Sequence, residues 1–248
     1  MAVEIIALMF VTGFLSGMVN AIAGGGTFLT FGAMTFIGVG PISANATSSI
    51  VQFPGYITSA LAYLKEIRKN AKSALILGII SLIGGLVGAL LLLSLDNVSF
   101  RPMVPWLLLV ATALFAAGPL FKPRQSGDGL NGGWKMSIGQ FITSIYGGFF
   151  GAGMGIMMLA VLGLTSSAGY HALNAMKNFL AVIIAAVAIV VFVGGGVVHW
   201  PSALAMIPGS ALGGYAGVYA ARRVPQWIIR ALVIGVGLFL TGYYFLTA

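Results

Sequence analysis

Long apolar blocks, separated by short basic or glycine-rich stretches, run the length of this 248-residue chain. Several blocks are about 20 residues long, the length of helix that crosses a bilayer. The alternation of polar and apolar residues over about ten positions that a membrane barrel needs is absent. The pattern predicts an all-α membrane protein, a polytopic helical bundle.

The first block, 4–39, is too long for one crossing. As a continuous helix its 36 residues would reach about 54 Å, against a hydrocarbon core of about 30 Å. The run Gly24, Gly25, Gly26 is the natural break. It leaves 5–22 to span and 27–39 as a half-helix of about 20 Å. A turn at 41–45 follows, with Ser43 or Asn45 placed to cap the next helix. That helix is predicted over 46–64, with a kink at Pro54-Gly55. Spans over 73–95 and 103–121 come next, joined by a short loop at 96–101, and 122–133 reads as a linker. The second half repeats the plan, with a block over 134–163 broken near 151–155, then helices over 172–193, 202–221 and 227–246.

The plan repeats because the residues do. At an offset of 129 positions, Ala152-Gly153-Met154-Gly155 falls on Ala23-Gly24-Gly25-Gly26, Asn174-Ala175 on Asn45-Ala46, and Ser202-Ala203-Leu204 on Ser73-Ala74-Leu75. The pattern Ser-x-x-Gly-Gly-x-x-Gly at 81–88 returns at 210–217. Glycine is abundant, so the Asn-Ala and Ser-Ala-Leu matches carry the case. Two membrane repeats are expected, 1–121 and 134–248, joined by a cytoplasmic linker at 122–133. Each opens with a glycine-broken helix or helical hairpin.

Composition agrees, since charged residues are 6% and hydrophobic ones 59%, against roughly a quarter charged in a soluble domain. The net charge of +8 sits in short runs between apolar blocks, where it sets orientation and implies no nucleic-acid partner. Lys65, Arg68, Lys69 and Lys72 mark a cytoplasmic loop. With four simple crossings per half, the loop of Arg222, Arg223 and Arg230 would face the opposite side. Counting each broken block as an even number of passes brings that loop, the 65–72 loop and the linker to one side. An odd number of crossings per half then inverts the second copy relative to the first, with about 8 to 10 membrane segments in all. Without cysteine there is no disulfide, thiolate or cysteine metal site. The first residues lack a basic n-region and cleavage site, and read as the first membrane helix.

Two readings fit the glycine runs. Small residues let membrane helices approach closely. A broken helix instead exposes backbone N–H groups whose N-terminal end favours an anion, and such breaks in matching positions of two halves point to a transporter site. Ionisable residues inside the blocks are few. Lys177 stands at the position matching Ser48, and His171 lies just before it. Glu4, Glu66, Asp96 and Asp128 all fall at segment ends or in loops. A cation pathway or carboxylate relay places acids inside the bundle, so a lone buried cation suits an anionic substrate. The plain alternatives are a snorkelling Lys177 and an interfacial His171. Neutral polar residues (Asn20, Asn45, Thr47, Ser48, Ser49, Gln52, Asn174 and Asn178) surround the two breaks. Each alone fits an interhelical hydrogen bond of about 0.6–2 kcal/mol, and the matched pair Asn45 and Asn174 stands out. Two histidines with no cysteine or acid cluster give no metal or cofactor site. No Ser–His, paired-Asp or G-x-S-x-G pattern accompanies His171 or His199, so the chain does not read as an enzyme.

The run Gly13-Phe14-Leu15-Ser16-Gly17, the stretch to Gly24-Gly25-Gly26-Thr27, and Ala44-Asn45-Ala46-Thr47-Ser48 resemble the sulfite exporter TauE/SafE family, also called toluene sulfonate uptake permeases. The second copy, Gly151-Ala152-Gly153-Met154-Gly155 and Ala175-Met176-Lys177-Asn178, is similar to the second repeat of that family. The resemblance covers nearly the whole chain and implies a multi-pass carrier in the bacterial inner membrane. Its substrates would be small organosulfur anions such as sulfite, sulfoacetate or other short sulfonates. Met154 replaces a glycine and makes the second run less flexible than the first. A channel-like anion pore, or a membrane subunit of a larger complex, is the alternative function. Beyond the lipid bilayer, the sequence names no partner and no oligomeric state. The candidate substrate site lies between the two breaks: Gly24, Gly25, Gly26 and Thr27 with Gly153 and Gly155, Lys177 as counter-charge, and Asn45, Ser48, Asn174, Thr47, Asn178, Gln52 and His171 around them.

Overall fold

A computed structural model describes residues 3–118, 130, 133–220 and 226–247. Most of the predicted linker, and Arg222 and Arg223 of the second basic loop, lie outside them. The described chain is helical, in the order α1 (Val3–Ala23), α2 (Gly26–Phe36), α3 (Pro41–Ala62), α4 (Leu64–Lys69), α5 (Ala71–Leu93), α6 (Asn97–Phe100), a short 3-10 turn (Arg101–Met103) and α7 (Val104–Ala117). The second half holds α8 (Gly133–Phe149), α9 (Met154–Thr165), α10 (Tyr170–Gly194), α11 (Trp200–Ala220) and α12 (Gln226–Thr247). Among the described residues, five helical stretches are long and apolar enough to cross a membrane: Val3–Asn20, Ala71–Leu93, Asn97–Ala117, His171–Gly194 and Arg230–Thr247.

Both overlong blocks break at glycine. Gly24 takes φ +81°, open to a residue without Cβ, and its N–H closes α1 on Asn20 O at 3.1 Å. Gly151 and Gly153 take φ +72° and +77° between α8 and α9. The helices after the breaks, α2 with 11 residues and α9 with 12, are only about 16–18 Å long. They are half-helices. Gly26 lies beside Ser16, so α2 folds back along α1.

Four local expectations are corrected. Ser43 and Asn45 lie inside α3; Gly40 is the N-cap and Pro41 occupies the first turn, where its missing N–H and fixed φ suit a helix start. The basic stretch 65–72 is largely helical in α4 and α5, because its alanine, lysines, glutamate and arginine are good helix formers and Ile67 is buried. The loop at 96–101 holds α6, capped by Asp96, which accepts Ser99 N–H at 2.9 Å. Hydrogen bonds from Ser99 side chain and backbone hold that carboxyl below its ordinary range. Arg230 belongs to α12, where it donates to Phe115 O at the end of α7 at 2.9 Å. A cation at a helix C-terminus is favourable there.

Packing runs opposite to that of a soluble protein. On α5, Leu75, Ile79, Leu86 and Leu90 point outward, while Gly78, Ser81, Gly84, Gly85 and Gly88 are buried. Lipid removes the hydrophobic drive for helix association, so close van der Waals contact between small residues takes its place. A Cβ on Gly88 would strike Ile145 O of α8, and one on Gly148 would strike Gly85 O of α5. The α1–α11 pair does the same, with Gly13 against Met206, Gly17 against Ser210 and Gly213 against Phe14.

These neighbours also give helix directions. Helices α1 and α11 run parallel, as do α5 and α8, where Gln140 Nε2 donates to Ser81 Oγ at 2.9 Å. In contrast α3 and α10 are antiparallel. Thr47 near the start of α3 accepts His199 N–H beyond the end of α10 at 2.9 Å, and Tyr63 just past the end of α3 stacks 6.4 Å from His171 at the start of α10. Helices α7 and α12 are antiparallel too, with Trp106 on Phe245 at 5.2 Å and Phe115 O on Arg230. Leu130, within the linker, is buried and its carbonyl accepts Ser73 Oγ at 3.2 Å.

Adjacent glycines of α11 make this packing testable. Gly213→Ala forces its methyl into Phe14 O, whereas Gly214→Ala meets nothing within 4 Å. The expected destabilisation is about 1–3 kcal/mol for the first and about zero for the second, read by SDS titration with circular dichroism.

Candidate functional site

The two breaks meet around one small cavity. Thr27 at the start of α2 and Met154 at the start of α9 both line it. From α3 come Ser49, Gln52 and Tyr56, from α8 Gly147, from the break Gly151, and from α10 Ile184 and Ala185. Positions 49, 52 and 56 share one face of α3 by helical spacing. Among the described residues, no charged side chain is in this wall.

The polar groups freed by the breaks are treated unequally. Carbonyls find side-chain donors within the protein. Ser16 Oγ donates to Gly26 O at 2.8 Å, Asn45 Nδ2 to Phe149 O at 2.8 Å, and Tyr146 Oη to Ala152 O at 2.8 Å. The N-terminal ends of the half-helices have no such help. Neither Gly25 before α2 nor Gly153 before α9 is a side-chain cap. Backbone carbonyls take some of the first amides, Phe28 N–H on Gly25 O at 3.3 Å, Met154 N–H on Gly151 O at 3.2 Å and Ile156 N–H on Gly153 O at 3.0 Å, and the ends still carry the positive pole of the helix dipole. Two such ends adjoin one cavity, with no acid among the described residues that line it.

The structure brings only part of the expected residue set to this cavity wall. Thr27 and Gln52 line it, Gly24, Gly25 and Gly153 belong to the breaks beside it, and Gly26 and Gly155 to the first turns of α2 and α9. A Cβ on Gly25 would collide with Phe115 and Val233, and one on Gly26 would lie 2.8 Å from Gln52 Nε2. Lys177 is half-buried, with its stem across Gly155. It sits seven residues before Ile184, on the same face of α10, about 10 Å along the axis. Asn45, Asn174 and Asn178 are buried outside the wall. Ser48 Oγ is 2.9 Å from Thr30 Oγ1 and Thr47 holds His199, so both hydroxyls tie helices together. His171 is exposed and stacks near Tyr63.

The sequence profile described as Sulfite exporter TauE/SafE matches residues 9–244. The chain belongs to this family. A Haemophilus influenzae relative named "Probable membrane transporter protein" is 27% identical, covering 97% of this chain and 94% of its own. One from Sinorhizobium sp, "Probable membrane transporter protein ORF9", is 28% identical over 94% and 90%. A third, "Probable membrane transporter protein YunE" of Bacillus subtilis, is 26% identical over 93% and 95%. The chain is thus a multi-pass membrane protein of a TauE/SafE transporter family.

Within this family member, sequence reasoning missed Ser16 and Tyr56. Tyr56 was within reach, because it extends the polar face of Ser49 and Gln52 by one turn. Ser16 was not, since its partners Gly26 and Gln52 come near only after the chain reverses.

Gly26→Ala tests that crowding, because its methyl lies against Ser16 O and the Gln52 amide. It should lower stability by about 1–3 kcal/mol in a thermal melt of the detergent-solubilised protein. Gly55→Ala, whose nearest neighbour is Asn20 Nδ2 at 3.7 Å, should leave the melt unchanged.

Proposed function

We propose that this chain is a secondary transporter of small organosulfur anions (sulfite, sulfoacetate or other short sulfonates) across the bacterial inner membrane. The observation that carries the proposal is the convergence of two uncapped half-helix N-termini on one cavity. A sulfonate offers three oxygens to such N–H donors. Lys177 supplies a point charge two turns from the cavity, and its flexible stem over Gly155 lets the ammonium follow the substrate. Asn45 steadies the second break through Phe149 O, Ser48 ties α3 to α2, and Asn174, Thr47, Asn178 and His171 remain candidate hydrogen-bonding groups for the anion along its path.

The scaffold we infer is an inverted repeat of 1–121 and 134–248, with five segments per half. The 129-residue offset carries α1 onto α8, α2 onto α9, α3 onto α10, α5 onto α11 and α7 onto α12. Under that mapping the α1–α11 and α5–α8 pairs exchange, and both are parallel. The self-mapped pairs, α3–α10 and α7–α12, are antiparallel, which a two-fold axis in the membrane plane demands. Alternating access then becomes rocking of one repeat against the other around the shared cavity.

Lys177→Met keeps much of the side-chain length and removes the charge. In proteoliposomes it should weaken sulfonate affinity about 10- to 100-fold, the range of a charged hydrogen bond. Unchanged affinity would leave Lys177 a snorkelling residue. Flux that does not saturate in the parent protein would favour a pore.

The native chain has no cysteine, so single cysteines are unique labels. Cysteines replacing exposed Lys69 and Trp227 should react with a membrane-impermeant maleimide from the same face. Labelling from opposite faces would refute the inverted arrangement.

A further inference from the structure

We infer that Gln52 makes the cavity selective for anions that carry their own hydrogen-bond donor; this rests on the anion-carrier reading and sharpens it. The orientation of the Gln52 amide follows from a chain of partners. Gly26 O can only accept, so the single hydrogen of Ser16 Oγ, 2.8 Å away, goes to it. Ser16 Oγ is therefore left as an acceptor toward Gln52, and Gln52 must turn Nε2 to it. Gln52 Oε1 is thereby fixed as an acceptor that the protein does not satisfy. Gln52 is 1% exposed and lines the cavity. A buried acceptor without a donor is costly, by about as much as a lost hydrogen bond. A bare cation could satisfy the oxygen, but two helix N-termini at the same cavity oppose positive charge. What meets both demands is an anion whose oxygens face the N-termini and whose O–H or N–H reaches Gln52 Oε1. Hydroxyl- or amino-bearing sulfonates and hydrogensulfite share that chemistry; a fully deprotonated sulfite or an alkyl sulfonate does not.

The probe is a pair of anions matched in charge and nearly in size, methanesulfonate and hydroxymethanesulfonate, titrated against the purified full chain by calorimetry. The hydroxylated member should bind about ten-fold tighter, one hydrogen bond expressed as affinity. Ser16→Ala frees the amide to rotate and offer Nε2 to the cavity, so the ratio should fall to about one. Gln52→Met should abolish the ratio as well; should that variant fail to fold, the parent ratio and Ser16→Ala decide the matter. Equal affinities in the parent chain would overturn donor selection while leaving anion transport standing. Failure of both anions to bind would overturn both. A ratio that needs sodium would assign Gln52 Oε1 to a cation and overturn the inference.

Discussion

Lipid offers no hydrogen bonds, so a helix broken at membrane depth must have its freed backbone groups satisfied by protein or by something in a cavity. This constraint organises the molecule. Ser16, Asn45 and Tyr146 are each committed to a carbonyl at a break. They are spread over α1, α3 and α8, so both breaks are tied to full-length helices. The N-terminal ends of α2 and α9, which have no side-chain cap, and the unsatisfied Gln52 Oε1 are what stand beside the cavity.

Around that centre the bundle is built on contact. The α1–α11 and α5–α8 seams bring glycine against backbone, and large apolar side chains turn to the lipid. Aromatic residues fill the space where the half-helices stop short. Phe28 meets Phe115 edge-on at 6.4 Å, and Phe31 meets Phe150 at 5.8 Å.

Much of this was legible in the sequence, because it follows from length and period. Block 4–39 exceeds one crossing, so a break was required, and the run Gly24–Gly26 was the natural place for it. The 129-residue offset, read from residues alone, also carries the bounds of α1, α2, α3, α5 and α7 onto those of α8, α9, α10, α11 and α12. Local capping was less legible: Pro41 outweighed Ser43 and Asn45 because a fixed φ needs no partner. The site was half legible. Gln52 and Thr27 reached the cavity wall, but Asn45, matched to Asn174 in sequence, braces Phe149 instead. Which polar side chain faces a cavity depends on chain reversals between elements, and no periodicity encodes those. The fate of the linker and of Arg222 and Arg223 lies outside the described residues.

The two halves share a plan but not a lining. Gly25, pressed against Phe115 and Val233, is matched by Met154, whose thioether lies against Gly147. Gln52, with its fixed acceptor, is matched by Ala181. If the repeats are inverted, identical linings would make the states open to either side equal in energy. Unequal linings lift that degeneracy. The empty carrier then rests mostly in one orientation, and the same anion meets a different apparent affinity on each side of the membrane.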